Sequence, residues 1–138
     1  MSKYYIPDIS EFYIGFEYEK ERNGQWVNIT LTKPEYLSWL MDEIEQWINI
    51  DKIRVKYLDQ EDIISVGFTL VDDYDDVGQA TFEKGEWFVI WTRDVTEIHY
   101  GEDMVFCGKV KNKSEFKRIL NQVNIYENSS SNELEKAW

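Results

Sequence analysis

The fold is decided first by the stretch FEYEKERNGQWVNITL, residues 16–31, which has Asn23-Gly24 at its centre. Asn-Gly is typical of a two-residue type I′ turn, because both central residues of that turn need a positive φ. A turn of this length places Tyr18 opposite Ile29. In that register the apolar and polar side chains separate onto opposite faces, which predicts a β-hairpin with no slip in its pairing.

Two later segments have the spacing of apolar residues that an amphipathic helix requires. The first begins near Thr32, where Thr32 and Glu35 have the spacing of a capping box, and it ends near Asn49. Its apolar stripe consists of Leu37, Leu40, Met41, Ile44, Trp47 and Ile48. The second helix is expected from about Lys113 to Val123, and it has an apolar stripe of its own.

Between these helices the sequence has the pattern of β-strands. Alternation of apolar and polar residues predicts strands at 53–57 and 64–70. The run Trp87–Trp91 is apolar on both faces, which is typical of a central strand. Two further hairpins are expected, at residues 80–92 and 96–110.

These segments predict an α+β fold with the element order ββα, five or six strands, α. The expected architecture is one mostly antiparallel, curved sheet that is packed by two amphipathic helices. A chain of 138 residues has the length of one domain, so we expect a single domain over residues 1–126. Residues 127–138 have the composition of a loop and are expected to form a flexible C-terminal tail.

The chain is strongly acidic, with 27 acidic and 15 basic residues and a formal net charge of −12. This charge disfavours binding to exposed nucleic acid or to an anionic membrane. No apolar run is long enough to span a bilayer, and the start MSKYYIPDIS lacks the apolar core of a signal peptide. Because the chain also has a single cysteine, we expect a cytoplasmic protein that has no internal disulfide and does not bind membranes.

The charge is distributed unevenly along the chain. Residues 51–108 contain fourteen acidic and five basic residues, a net charge of −9. Such an acidic field attracts basic macromolecules and speeds association, although acidic residues also serve solubility alone. The C-terminal part has a small basic cluster, which consists of Lys109, Lys111, Lys113, Lys117 and Arg118. This cluster either contacts RNA or forms the solvated face of the last helix.

Two groups of residues are candidates for binding a partner protein. Trp39 lies off the apolar stripe of the first helix and shares the charged face with Glu35 and Glu43. Trp is enriched at binding hot spots, and the alternative is that the tail or a neighbouring loop covers Trp39. The second group is an acidic segment that we expect to form a loop, and it consists of Asp72, Asp73, Tyr74, Asp75 and Asp76.

His99 and Cys107 are the single histidine and the single cysteine of the chain. A hairpin that turns near residue 102 places them diagonally on one face, within reach of a Cys–His dyad. No nucleophile signature surrounds Cys107, which therefore has the pattern of a small buried thiol in a strand. The acidic segment lacks the ligand order of an EF-hand, and no glycine-rich phosphate loop is present. We expect no enzymatic activity, no cofactor and no metal.

Three stretches resemble small proteins that are encoded by phages and prophages of Bacteroidota-type bacteria. They are YIPDISEFYIGFEY at 5–18, RVKYLDQEDIISVGF at 54–68 and VFCGKVKNKSEFKRIL at 105–120. The resemblance brings no catalytic residues with it. It implies a genomic setting in which small acidic proteins are often inhibitors of host defence, including anti-CRISPR proteins.

Charge and resemblance together give the expected function, a non-enzymatic acidic binding protein that inhibits an RNA-guided nuclease in the host bacterial cell. It would bind the basic nucleic-acid-binding surface of the effector or disturb its guide RNA. One alternative is a phage accessory or structural protein whose acidity is only solubilising. Another is a small enzyme that uses His99 and Cys107. The sequence leaves the oligomeric state and the identity of the target open.

Overall fold

The computed structural model of the protein describes residues 3–32, 37–74 and 78–123. Within these ranges, no helix is long and apolar enough to cross a bilayer. The strands pair antiparallel throughout the two sheets that the structure describes, one of four strands and one of five. Helices accompany both sheets, which confirms the predicted α+β class.

The chain divides into two compact units, an N-terminal unit (Met1–Tyr57) and a C-terminal unit (Leu58–Trp138). Each unit has its own cluster of buried hydrophobic side chains. The single domain over residues 1–126 stays a prediction. The tail predicted at 127–138 lies outside the described residues.

The part of the N-terminal unit that the structure describes contains a four-stranded sheet in the order β1-β4-β2-β3 and one α-helix. Its elements are β1 (Tyr4–Tyr5), a 3₁₀ helix (Ile9–Glu11), β2 (Glu17–Arg22), β3 (Gln25–Thr30), α1 (Leu37–Asn49) and β4 (Ile53–Lys56). The hairpin β2–β3 has the predicted register, with Tyr18 paired to Ile29. Asn23 and Gly24 have φ angles of 53° and 80°, which confirms the basis of the prediction, a turn with two positive φ angles.

Helix α1 packs the predicted apolar stripe against the core of the N-terminal unit. Ile44 is fully buried in that core, and Leu40, Met41, Trp47 and Ile48 pack against it half-buried. The side chain of Leu37 lies outside the described part of the chain, as does the cap predicted around Glu35. The described part of the stripe therefore confirms the helical periodicity.

In its described residues, the C-terminal unit contains a five-stranded sheet in the order β5-β6-β7-β8-β9 and two helices. Its elements are α2 (Gln60–Ser65), β5 (Thr69–Tyr74), β6 (Gln79–Lys84), β7 (Trp87–Trp91), β8 (Thr96–Tyr100), β9 (Asp103–Gly108) and α3 (113–123). Strand β7 is central, as its apolar character on both faces predicts. The core includes Phe82, Val89 and Ile98 from the sheet and Phe116 from α3, all fully buried.

The strand predicted at 64–70 is wrong for residues 64–68, because 60–65 form helix α2 and β5 begins only at Thr69. Asp59 caps this helix: its Oδ1 accepts from the Asp62 N–H at 2.9 Å, and Asp62 Oδ2 accepts from the Asp59 N–H at 3.3 Å. This reciprocal capping box satisfies two backbone donors that the helix itself leaves unpaired. Ile63 is buried and Ile64 exposed, which fits a short helix with one face on the core.

The strands form two sheets where the sequence predicts one curved sheet. Strand β4 pairs with β1 and β2, whereas β5 begins the second sheet by pairing with β6. Helix α2 lies between β4 and β5 in the sequence, so these strands are not joined as a hairpin. The prediction of one curved sheet is therefore wrong, because β4 and β5 do not pair.

Candidate partner-binding surface

The acidic segment that was expected to form a loop belongs partly to a strand. Asp72, Asp73 and Tyr74 end β5, the edge strand of the five-stranded sheet. The loop prediction is wrong for these residues because their backbone pairs with β6. Asp75 and Asp76 lie outside the described residues.

Strand β5 is exposed along its whole length. All six of its side chains are exposed, with Val71 at 46% and Tyr74 at 48%. Its register shifts between Leu70 and Asp72, the mark of a β-bulge. Charges and bulges are devices that keep an edge strand from pairing with another chain, so β5 offers its side chains rather than its backbone to a partner.

The register places the two carboxylates of β5 on opposite faces of the sheet. Asp73 pairs with the buried Ala80, and Asp72 pairs with Thr81 on the other face. Paired residues in an antiparallel ladder share a face, and successive residues of a strand alternate. A basic partner can therefore reach an acidic group from either side of this edge.

A second group of carboxylates, which the sequence analysis did not single out, lies at one end of the same sheet. Glu83 and Glu86 flank the β6–β7 turn, while Glu102 and Asp103 lie at the β8–β9 turn, and all four are exposed. The Gly101 N–H donates to the Glu86 carbonyl oxygen at 3.0 Å and joins the two turns. Only the β7–β8 pairing, which is not visible in local sequence, brings these residues together.

Trp39 is the most exposed large hydrophobic residue of the described part of the chain, at 63%. It lies on α1 with Glu43, which is half-buried, while Glu35 lies outside the described residues. The predicted position of Trp39 off the apolar stripe is therefore confirmed. Its role in binding stays a prediction.

Trp26 of β3 has a structural role. The Arg54 guanidinium carbon lies 4.2 Å from the Trp26 ring centroid and 3.7 Å from that of Tyr4. Arg54 Nη2 also donates to Glu19 Oε1 at 2.9 Å. Two rings and one carboxylate thus hold the guanidinium in place, and the half-buried Trp26 is engaged within its own sheet.

The basic cluster lies on α3 and on the segment that leads to it. Four of its members are exposed and Lys113 is half-buried; the exposed ones are Lys109, Lys111, Lys117 and Arg118. The helix begins at a cap, where Asn112 Oδ1 accepts from the Glu115 N–H at 2.8 Å. Contact of this cluster with RNA stays a prediction.

His99 and Cys107 lie diagonally on one face of the five-stranded sheet, as the hairpin predicted. Cys107 pairs with Glu97, the residue two positions before His99 on β8. The thiol is exposed, so the prediction that it is buried is wrong. His99 Nε2 lies 3.1 Å from Glu97 Oε1, and the imidazole stacks on Phe88 with 4.4 Å between centroids. These two contacts position the imidazole, and a catalytic role of His99 and Cys107 stays a prediction.

Metal ligands do not converge in the described ranges, which contain no group of three or more His, Cys, Asp or Glu side chains suited to a metal ion. Asp72 and Asp73 are exposed carboxylates at the edge of the five-stranded sheet. Comparison with protein-family models, with curated proteins and with solved structures returns no match to this chain. The proposals below therefore depend on the residues of the chain itself.

Proposed function

We propose that the protein is a non-enzymatic binding protein that offers carboxylates and aromatic side chains to a basic surface of a larger partner. The observation that carries this proposal is β5, an exposed edge strand that ends in Asp72, Asp73 and Tyr74. Among the described residues, neither aspartate has an ion-pair partner. Their charge is therefore available to attract a cationic surface at long range.

The partner class that we propose is a nucleic-acid-binding nuclease of host defence, such as an RNA-guided effector. Such proteins have basic channels that bind phosphate backbones, and a negatively charged protein competes for the same cations. The net charge of −12 favours this class of partner over nucleic acid itself. The resemblance to phage and prophage proteins supports the same setting.

In a surface of this kind, charged groups and apolar groups make different contributions to binding. The carboxylates accelerate encounter and favour basic partners, while aromatic groups supply buried area once the complex has formed. Tyr74 is the aromatic group next to the β5 carboxylates, and it is about half exposed. Trp39 on α1 is a second anchor of the same chemistry.

The experiment that tests this proposal is affinity capture of the partner from host cells, followed by competition with the nucleic acid that the partner binds. Three double variants each remove two negative charges and leave size almost unchanged. They are Asp72→Asn with Asp73→Asn, Glu86→Gln with Glu102→Gln, and Glu45→Gln with Asp51→Asn; all six parent residues are exposed.

We expect the β5 pair to weaken capture about tenfold or more, because two charge-assisted contacts are lost. The control pair, Glu45 and Asp51 in the N-terminal unit, should change affinity by less than about threefold. Equal losses from all three pairs would show that net charge alone acts and that β5 is not the site. Binding that guide RNA or target DNA does not displace would reject the proposed partner surface.

A further inference from the structure

Strand β3 forms one edge of the four-stranded sheet and has the least protected backbone among the edge strands of the two described sheets. Its sequence, QWVNIT, contains no charged residue and no proline, and none of its side chains is buried. Its register with β2 continues through all six pairs without a shift. Charged side chains, prolines and bulges are the usual devices that keep an edge strand from pairing with another chain, and β3 has none of them.

Each of the other described edges has such a device. Strand β1 has only two residues, and a very short strand is a poor template for pairing. Strand β5 contains two aspartates, and a shift interrupts its register with β6. Strand β9 begins with Asp103, and its register with β8 also shifts. The contrast identifies β3 as the edge whose backbone is open to a further strand.

The hydrogen bonds of the hairpin show which backbone groups of β3 point away from the sheet. The Leu31 N–H donates at 2.9 Å to the carbonyl oxygen of Phe16, the residue opposite to it in the same register. Hydrogen-bonded and non-hydrogen-bonded pairs alternate along an antiparallel ladder. Every second residue of β3 therefore bonds to β2, whereas the N–H and C=O groups of Trp26, Asn28 and Thr30 point outward. Within the described ranges, these outward groups have no hydrogen-bond partner.

The side chains around β3 leave this edge accessible to an acidic chain. The Trp26 ring lies 4.2 Å from the guanidinium carbon of Arg54 on β4, and β2 lies between β4 and β3, so the indole is engaged toward the middle of the sheet. On β2, Glu19 accepts from Arg54 at 2.9 Å. Its neighbour Glu21 accepts from Lys52 at 2.8 Å. Because both carboxylates are compensated, they add little to the repulsion between two acidic chains.

The outward groups of β3 are complementary to a second copy of the same strand. In an antiparallel pair with a two-fold axis at Asn28, the two Asn28 residues face each other, and Trp26 faces Thr30 of the second copy. All the outward N–H and C=O groups then form hydrogen bonds between the two strands. On the other face of the sheet, Val27, which is 38% exposed, lies opposite Ile29 of the second copy. Facing β-branched side chains stabilise an antiparallel pair, and no charged residues of the two strands meet.

We propose that β3 pairs antiparallel with β3 of a second copy of this chain, which joins the two four-stranded sheets into one continuous sheet. Each copy supplies the same strand, so the interface closes after two copies. A strand of another protein would satisfy the same backbone groups, but the symmetric match of Val27 with Ile29 favours a second copy. The pairing does not use β5 and does not rest on the function proposed above.

Sedimentation equilibrium of the full chain over a concentration series tests the pairing. We expect a reversible change from the monomer mass of 16.6 kDa to twice that mass, with a dissociation constant between about 1 μM and about 1 mM. Asn28→Pro removes an N–H that points outward and so leaves the bonds to β2 in place. Asn28→Thr keeps this N–H and is the matched control. The proline variant should weaken self-association about tenfold or more, since two hydrogen bonds are lost, and the control should stay within about threefold.

A cysteine at the two-fold axis tests the register. In a Cys107→Ser background, mild oxidation should cross-link Asn28→Cys, because the Cα atoms of a hydrogen-bonded pair lie about 5.5 Å apart, within the range of a disulfide. Thr30→Cys in the same background is the control on the same edge. The register separates Thr30 from its counterpart by roughly 13 Å along the strands, which is too far for a disulfide.

Three results would overturn the proposal: a monomer mass at all concentrations up to about 1 mM, equal self-association of Asn28→Pro and Asn28→Thr, or equal cross-linking of the two cysteine variants. Should circular dichroism show that Asn28→Pro does not fold, Asn28→Lys takes its place, since it sets two ammonium groups directly opposite each other at the axis. Self-association of Asn28→Lys as strong as that of wild type would then overturn the proposal in the same way.

Discussion

The carboxylates of β2 in the N-terminal unit and those of β5 in the C-terminal unit differ in how they are paired. In the N-terminal unit, Arg54 donates to Glu19 at 2.9 Å and Lys52 to Glu21 at 2.8 Å, so carboxylates on β2 are neutralised within the sheet. In the C-terminal unit, the carboxylates of β5 point away from an edge strand with no described ion-pair partner. Charge of the first kind holds a sheet together, whereas charge of the second kind is available to a partner.

This difference separates carboxylates that stabilise the fold from carboxylates that are available to bind a partner. A carboxylate with a half-buried cation is already compensated and contributes little to the long-range field. An exposed and unpaired carboxylate adds its full charge to that field and loses little solvation before a partner arrives. The predictions below test whether the two groups of residues differ in this way.

The largest effect is expected from Arg54, which joins two aromatic rings and Glu19 in the N-terminal unit. Arg54→Ala should lower the free energy of unfolding by about 2 kcal/mol, because the cation–π contacts are lost and Glu19 is left without its cation. Arg54→Lys keeps the charge but not the planar stacking, so an intermediate loss is expected. Urea denaturation followed by circular dichroism measures both, and Lys109→Ala is the exposed control. A loss for Arg54→Ala no larger than that of the control would contradict the account of this sheet.

A smaller effect is expected from Tyr18 at high pH. Burial raises the pKa of Tyr18 above its usual value of 10.0, and the nearby Arg22 opposes this only in part. Between the two pKa values the unfolded chain has lost the phenol proton and the folded chain has kept it. The free energy of unfolding should therefore fall as pH rises above about 10.

Tyr18→Phe removes this contribution, so its stability should fall less steeply above pH 10 than that of wild type. Tyr74→Phe is the matched control, because Tyr74 is exposed. Burial lowers the pKa of Lys20, an effect of opposite sign that is present in all three proteins and cancels in the comparison. Parallel pH profiles for wild type and Tyr18→Phe would show that burial does not shift this phenol.

The smallest effect on stability is expected from the two aspartates of β5, whose replacement is expected to have a large effect on binding. Asp72→Asn with Asp73→Asn should change the free energy of unfolding by less than about 0.5 kcal/mol, since both side chains are exposed and unpaired. Thermal denaturation checks this. A loss above about 1 kcal/mol would mean that these carboxylates stabilise β5, and the contrast between the two units would fail.

Local features of the sequence predicted those parts of the fold that local physics determines. The Asn23-Gly24 turn determines the register of β2–β3, and the apolar run Trp87–Trp91 identifies the central strand. The alternation of apolar and polar residues at 64–70 wrongly predicted a strand, because the Asp59 capping box favours a helix over the first residues of that segment. A search for reciprocal caps that allows Asp at both the N-cap and the N3 position would have found it.

The candidate sites were predicted less well because they depend on long-range pairing. The position of Trp39 off the apolar stripe follows from its angle on one helix, so the sequence was sufficient for it, whereas the sequence left its exposure open. That Asp72 lies on an edge strand and that Glu86 and Glu102 lie at adjacent turns both depend on how distant segments pack. No local pattern contains that information.

The most direct test of the central claim is the dissociation constant of the complex with the captured nuclease as salt is raised from about 50 to about 200 mM. If exposed carboxylates bind a basic nucleic-acid surface, the affinity of wild type should fall steeply over this range. The variant with Asp72→Asn and Asp73→Asn should show a shallower dependence. A dissociation constant that does not change with salt, or that changes equally in both proteins, would contradict the claim.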